Sequence, residues 1–301
     1  MNDLMKTAAM LCDMDGICGY EDDVRYCIRE MVKPYAQEIL TDHMGNLLVF
    51  VRGEKRRAAP VLICAHMDEV GAIVFRVSED GLLYIKPVGY MDRRIFLGKR
   101  VHIGRNGLVG VIVTLEGECL EFGDRRFMAK AIDDRLLCAV MIHLLREPLP
   151  YDTWFAFSVC EEDGLRGAEA YTDRIRPRYA LALEGASAAD FPSVSPHLSS
   201  TRLRKGAVIS LVDRGTFYNE KMLRTMTKAA DESGICWQYR TAINGRTDSG
   251  AISICSGGAM TFGVSVPTRY GHSQVSNVYW PDVEQAVRMA RLFIERTEDM
   301  E

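Results

Sequence analysis

Two apolar β-type runs in this chain stop at charge. Pro60-Val61-Leu62-Ile63-Cys64-Ala65 is followed by His66 and Asp68, and Trp154-Phe155-Ala156-Phe157-Ser158-Val159-Cys160 by Glu161 and Glu162. Near-continuous apolar runs, without polar alternation, fit strands covered on both faces, as in a parallel sheet packed between helices. Such a sheet carries its chemistry in the crevice beyond the carboxyl ends of its strands. The same placement recurs twice: Glu184 ends the run 179–183, and His272 follows the run 262–266 through a short turn containing Pro267. Gathering so many ionisable groups is costly unless positive charge sits among them. A pair of divalent metal ions meets that need most simply, and the chemistry it implies is hydrolysis.

Each residue alone has a plainer reading. A histidine after a strand is more often structural than a ligand, Glu161-Glu162 could be a solvated turn, and Asp133-Asp134 could open the helix expected over 133–146. Recurrence on separate strands is what those readings leave unexplained. His66 and Asp68 are two apart and share a face in extended backbone, so one can ligate while the other orients it. His43, His102 and His143 lack such a context and read as structural.

The rest of the chain reads as an α/β protein with a mixed sheet flanked by helices and a small all-β insert. Two helices occupy the first ~35 residues, and short strands follow at 38–40 and 47–51. Residues 72–128 change character, with β segments at 73–77, 82–88, 100–103 and 108–115 punctuated by Gly81, Gly89, Gly98, Gly107 and Gly117. We divide the chain into a catalytic α/β domain, 1–71 with 129–301, and this insert. Further units are strands at 207–212 and 259–265, a helix at 219–232, and a last helix at 283–296 opened by an Asp282…Gln285 capping box.

At 301 residues the chain suits one large domain plus a smaller one. A net charge of −4 offers no basic footprint for nucleic acid. No stretch approaches the roughly 18 apolar residues of a membrane helix, and the N-terminus shows no secretory pattern. Nine cysteines without a CxxC pair read as free thiols of the cytoplasm.

The motifs together resemble the M42 family of dinuclear-metal aminopeptidases, relatives of the glutamyl and tetrahedral aminopeptidases. The matching pieces are Gly19-Tyr20-Glu21, Asp42-His43-Met44-Gly45-Asn46, Ala65-His66-Met67-Asp68-Glu69-Val70-Gly71, Ala129-Lys130-Ala131-Ile132-Asp133-Asp134-Arg135, Glu161-Glu162-Asp163-Gly164-Leu165-Arg166-Gly167-Ala168, Gly245-Arg246-Thr247-Asp248-Ser249-Gly250-Ala251-Ile252 and Arg269-Tyr270-Gly271-His272-Ser273. The resemblance implies a zinc-exopeptidase type of fold and an aminopeptidase acting on short peptides. It implies that Asp133 bridges two ions, with His66 and Glu184 completing one and Glu162 and His272 the other. Residue types alone do not say which of Glu161 and Glu162 is ligand; the family pattern makes Glu161 the general base, with Asp68 holding the His66 imidazole. Zinc or cobalt suits such mixed ligands, and manganese is a further option. The family usually has Asp where Glu184 stands, and an acid where Gln274-Val275-Ser276 follow the last histidine. Its insert carries subunit contacts and looks shortened here, so a homo-oligomer is expected, a dimer ahead of a dodecamer. The rival readings are a deacylase of N-acyl amino acids and a non-catalytic metal-binding accessory protein.

Overall fold

A computed structural model describes residues 2–55, 60–104, 109–243, 245–255 and 257–300. The chain runs α1 (Asp3–Asp13), α2 (Asp22–Val32), β1 (Glu38–Thr41), β2 (Leu47–Val51), β3 (Val61–His66), β4 (Gly71–Val77), β5 (Leu83–Val88), β6 (Val101–Ile103) and β7 (Ile112–Leu115). β8 (Leu120–Phe122) and β9 (Arg126–Ala129) lead into α3 (Ile132–Leu144), β10 (Thr153–Ser158), α4 (Arg166–Ile175), β11 (Tyr179–Ser187) and β12 (Ala207–Ile209). Then come α5 (Glu220–Glu232), β13 (Trp237–Tyr239), α6 (Ser249–Ser253), β14 (Met260–Arg269), β15 (Ser276–Tyr279) and α7 (Trp280–Arg296).

The large sheet follows the order β1-β2-β10-β3-β11-β14-β15-β9-β8, with β12 and β13 branching from β14. β10, β3, β11 and β14 run parallel to one another and form its centre; β1, β2 and β15 join antiparallel. This is the mixed α/β architecture expected. Alternation along β3 explains its unbroken apolar sequence. Val61, Ile63 and Ala65 enter the core beneath α1, α3 and α7, whereas Leu62 and Cys64 enter a second core beneath α4 and α6. α3 is buried on nearly every side because it lies in the middle of the larger core.

Register aligns the ends of the central strands. Ser158 pairs with His66, Ala182 with Cys64 and Glu184 with Ser265. Glu184 therefore sits level with His66, one strand across. β11 extends to Ser187 because it pairs with β14 as far as Thr268, so Glu184 lies inside the strand and not just beyond it.

Residues 71–115 build a separate four-stranded antiparallel sheet, β5-β4-β7-β6. Its own core is Ala72, Val74 and Val113, with Leu83, Ile85, Phe96 and Val101 packed alongside. The segment 120–128, grouped above with the insert, runs instead in β8 and β9 along the edge of the large sheet, where β9 pairs with β15. Gly107 and Leu108 lie outside the described residues. Two other local expectations differ. Asp133 and Asp134 are non-helical, so regular helix begins after them. Asp282 is not a cap: its carboxylate accepts the N–H groups of Arg204 and Gly206, Gln285 accepts the N–H of Cys236, and Pro281 opens α7. No described helix is long and apolar enough to cross a membrane.

Candidate metal centre

His66 closes β3 and is buried. Its Nδ1 lies 3.0 Å from the backbone carbonyl of Asp68, which can only accept, so Nδ1 is the donor. The opposite nitrogen, Nε2, then faces carboxylate oxygens: Glu184 Oε1 at 3.3 Å, Asp133 Oδ1 at 3.4 Å and Glu161 Oε2 at 3.9 Å. His272 repeats the arrangement from the turn after β14, at a left-handed φ of 60°. Its Nδ1 donates to the carbonyl of Tyr90 at 2.5 Å, and its Nε2 faces Glu162 Oε1 at 3.0 Å and Asp133 Oδ2 at 3.4 Å. Asp133 thus turns one oxygen toward each histidine. Gly185 makes this approach possible, since a Cβ there would stand 2.8 Å from the Asp133 carboxyl carbon; its N–H also donates to Asp133 Oδ1 at 3.3 Å.

Asp68 supports the other side. Its carboxylate accepts the backbone N–H groups of Glu161 and Glu162, at 3.0 and 3.1 Å, which fixes the loop after β10. It also lies 3.4 Å from His66 Nδ1. The loop is further held at Cys160, in a left-handed conformation with φ 53°, by its N–H bond to Glu21 Oε1.

A neutral imidazole with Nδ1–H committed to a carbonyl presents a bare lone pair at Nε2. Here both lone pairs face carboxylates, an arrangement favourable only with a cation between them, whether proton or metal ion. The electrostatic environment of each group follows from this geometry. Burial opposes charging His272, yet Glu162 and Asp133 outweigh it and its pKa is pushed up to about 12. His66 is likewise raised against its burial by Asp133, Asp68 and Glu184. Burial pushes Glu161, Glu184 and Asp134 well above the usual carboxylate range, with neighbouring carboxylates adding to it. Asp133, by contrast with these three acids, is held well below that range, as its bonds to His272 and His66 overcome burial. A further buried oxygen, Asp134 Oδ1, accepts no hydrogen bond.

The donors fall into two sets, His66 with Asp134 and Glu184, and Asp133 with Glu162 and His272, each set's atoms lying within 4.8 Å of one another. Oxygen and imidazole donors in such clusters fit divalent transition ions. The seven residues singled out in the sequence converge here. Sequence reasoning missed Asp134 as a donor, although its place beside Asp133 was a signal. It also missed the Tyr90 carbonyl, a backbone atom that leaves no trace in residue type. The centre opens into a cleft of about 640 Å³ that is walled in part by Tyr90, Met91 and Ile95 from the small sheet's loop.

Known proteins match the chain along nearly its whole length. The chain is 26% identical to the lysyl aminopeptidase of Pyrococcus furiosus, over 97% of this chain and 96% of that one. It superposes on the aminopeptidase APDkam598 of the archaeon Desulfurococcus kamchatkensis with a TM-score of 0.93, at 27% identity, covering 98% and 95% of the two chains. The TET1 peptidase of Pyrococcus horikoshii, which can assemble into a tetrahedron or a large octahedral shell, matches with a TM-score of 0.83 at 25% identity, covering 96% and 98%. The family model for the M42 glutamyl aminopeptidases matches residues 45–112 and 107–289, stretches that take in the metal-type residues from His66 to His272. The chain belongs to the M42 glutamyl aminopeptidase family.

Proposed function

We propose that this protein is a dinuclear metal aminopeptidase that removes N-terminal residues from short peptides. The observation that carries the reading is the pair of histidines, each tied through Nδ1 to a backbone carbonyl and each presenting Nε2 to a different oxygen of Asp133. In this reading His66 and Glu184 hold one ion, Glu162 and His272 the other, and Asp133 serves both, with zinc or cobalt the preferred metals and manganese also suited. Two such ions supply an acidified water and Lewis-acid polarisation of the scissile carbonyl. Glu161 belongs to neither donor set, whereas Glu162 faces His272 at 3.0 Å. That division supports Glu161 as the carrier of the proton, taking it from the attacking water and handing it to the leaving amine. Its burial in the cleft wall favours the protonated form that the second transfer requires. Asp68 keeps both glutamates in place through their backbone N–H groups.

Nine free cysteines support a reducing, cytoplasmic setting. The exposed apolar face of the small sheet supports a homo-oligomer. No relative named above favours the dimer expected from the sequence, and the TET1 peptidase forms larger shells. The test is chelation followed by calorimetric titration with Zn²⁺, Co²⁺ or Mn²⁺, together with rates on aminoacyl-anilides and on N-acetyl amino acids. Two equivalents of ion and restored anilide cleavage are expected. Full activity without metal overturns the mechanism, and cleavage confined to N-acetyl substrates reassigns the enzyme as a deacylase.

A further inference from the structure

The cysteines of this chain fall into two groups. The thiols of Cys12, Cys64, Cys119 and Cys138 point at backbone carbonyls, those of Ala131, Leu181, Ala9 and His66, at 3.6, 3.6, 3.4 and 3.1 Å. They pack as small hydrophobes with a weak donor. Cys18 and Cys160 are placed differently. Cys18 lies in the turn between α1 and α2, which is held to the stretch after β3 by the bridge from Ile17 to Glu69. Cys160 follows β10 at its left-handed φ of 53°, immediately before Glu161. Glu21, one residue ahead of α2, joins the two segments. Its Oε1 accepts the N–H of Gly19 at 2.9 Å and that of Cys160 at 3.1 Å, with Cys160 Sγ 3.7 Å away. Both sulfurs and a carboxylate oxygen of Glu21 lie within 4.8 Å of one another.

None of these three side chains belongs to the dinuclear centre. Glu21 is only 3% exposed, Cys160 8%, and Glu21 makes no ion pair among the described residues. Two backbone N–H groups satisfy one of its oxygens but bring no net positive charge, so the buried carboxylate lacks a counterion. A cation that displaces the thiol protons would supply it and gain two thiolate ligands. A disulfide would have no use for the carboxylate. Thiolates favour soft ions, and a carboxylate beside them shifts the preference from Cu⁺ toward Zn²⁺. The sulfur donors also set this cluster apart from the oxygen and imidazole donors gathered around Asp133.

We infer that Cys18, Glu21 and Cys160 form a thiolate site for one Zn²⁺-type ion, separate from the dinuclear centre and additional to the two ions expected there. The bound ion ties the turn before α2 to the loop after β10, on which Glu161 and Glu162 stand. The inference does not depend on peptide cleavage.

The experiment uses the full chain, reduced with a phosphine, freed of metal and titrated with Cd²⁺ as a spectroscopic stand-in for Zn²⁺. Thiolate-to-cadmium charge-transfer absorption in the ultraviolet reports sulfur ligation, and the donors of the dinuclear centre contribute nothing to it. The expected result is a band that saturates at one thiolate-bound ion per chain and is bleached by competing Zn²⁺. C18S should remove most of the band; Cys18 is only partly buried, in a turn, so serine there leaves the core packing intact. C160S should do the same from the other segment, with circular dichroism to confirm that the chain is folded. E21Q keeps an oxygen for the N–H groups of Gly19 and Cys160 but loses the charge. It should bind the ion at least about tenfold more weakly, the least that losing a supporting group costs a metal site. No band in the wild type, a band that survives C18S unchanged, or wild-type affinity in E21Q overturns the three-donor site. So does reduced protein that takes up no thiolate-bound cadmium yet forms a Cys18–Cys160 disulfide with oxidised glutathione in mass spectrometry, which would make the pair a redox couple instead.

Discussion

The carboxyl edge of the large sheet and the face of the small sheet break the usual partition of residues in opposite directions. At the first, His66, Asp68, Asp134, Glu161 and Glu184 are buried; at the second, Phe75, Leu82, Tyr84 and Leu97 are exposed. Buried charge must be neutralised, and exposed apolar surface is stable in water only at a cost in solubility until something covers it. The contrast follows from size. The large sheet has two helix-covered cores and can spend rigidity on an unfavourable cluster. The small sheet encloses three fully buried apolar side chains and has no second layer of its own.

The sharpest test of the charged region is Glu161→Gln. It should lower kcat by ~10²–10⁴, the contribution of a general base, while two ions remain bound. Loss of an ion in that variant would make Glu161 a ligand and Glu162 the proton carrier. The scaffold beneath it should be nearly as sensitive. Phe262 is fully buried and stacks on Phe293 with ring centres 6.0 Å apart, so Phe262→Ala should cost about 3–5 kcal/mol in denaturant unfolding.

Asp282 extends the comparison to a buried acid outside the metal centre. Burial outweighs the donors Arg204 and Gly206 and pushes its carboxyl up to about 6 from an ordinary 3.8. Between those values the native state holds more protons than the unfolded chain, so this group's stabilising contribution falls as pH rises through that window. The shift of about two pH units corresponds to roughly 3 kcal/mol. Thermal melts from pH 4 to pH 6 should show this downward slope in the wild type and its loss in Asp282→Asn; equal slopes would mean that the carboxyl titrates normally. The smallest stability effect belongs to the apolar face. Leu82→Ser should change monomer stability by less than about 0.5 kcal/mol, yet lower the assembled mass in light scattering. An unchanged mass would show that this face takes no part in assembly.

The fold's centre was legible because β3 and β10 are buried on both faces and their sequences carry that fact residue by residue. The strand-end rule found His66, Glu161, Glu162 and His272 for the same reason. It placed Glu184 one residue beyond its strand, because the extension of β11 depends on pairing with β14, a contact between distant segments. Asp133 and Asp134 looked like helix-opening residues, yet their carboxylates point into the centre and to the His66 N–H instead. At Asp282 a valid local pattern lost to a tertiary one, as the turn at 204–206 claimed the side chain that would have capped α7.

The bond from His272 to the carbonyl of Tyr90 joins the two contrasted regions, for Tyr90 lies in the loop that follows β5 of the small sheet. Equilibria that share a mechanical element are reciprocal: if one event shifts the other's free energy, the second shifts the first by the same amount. If a neighbouring subunit that touches this loop shifts ion binding at His272, a bound ion shifts subunit association by the same amount. Metal titrations at several protein concentrations, and subunit dissociation measured at several metal concentrations, would then give one coupling energy from two directions.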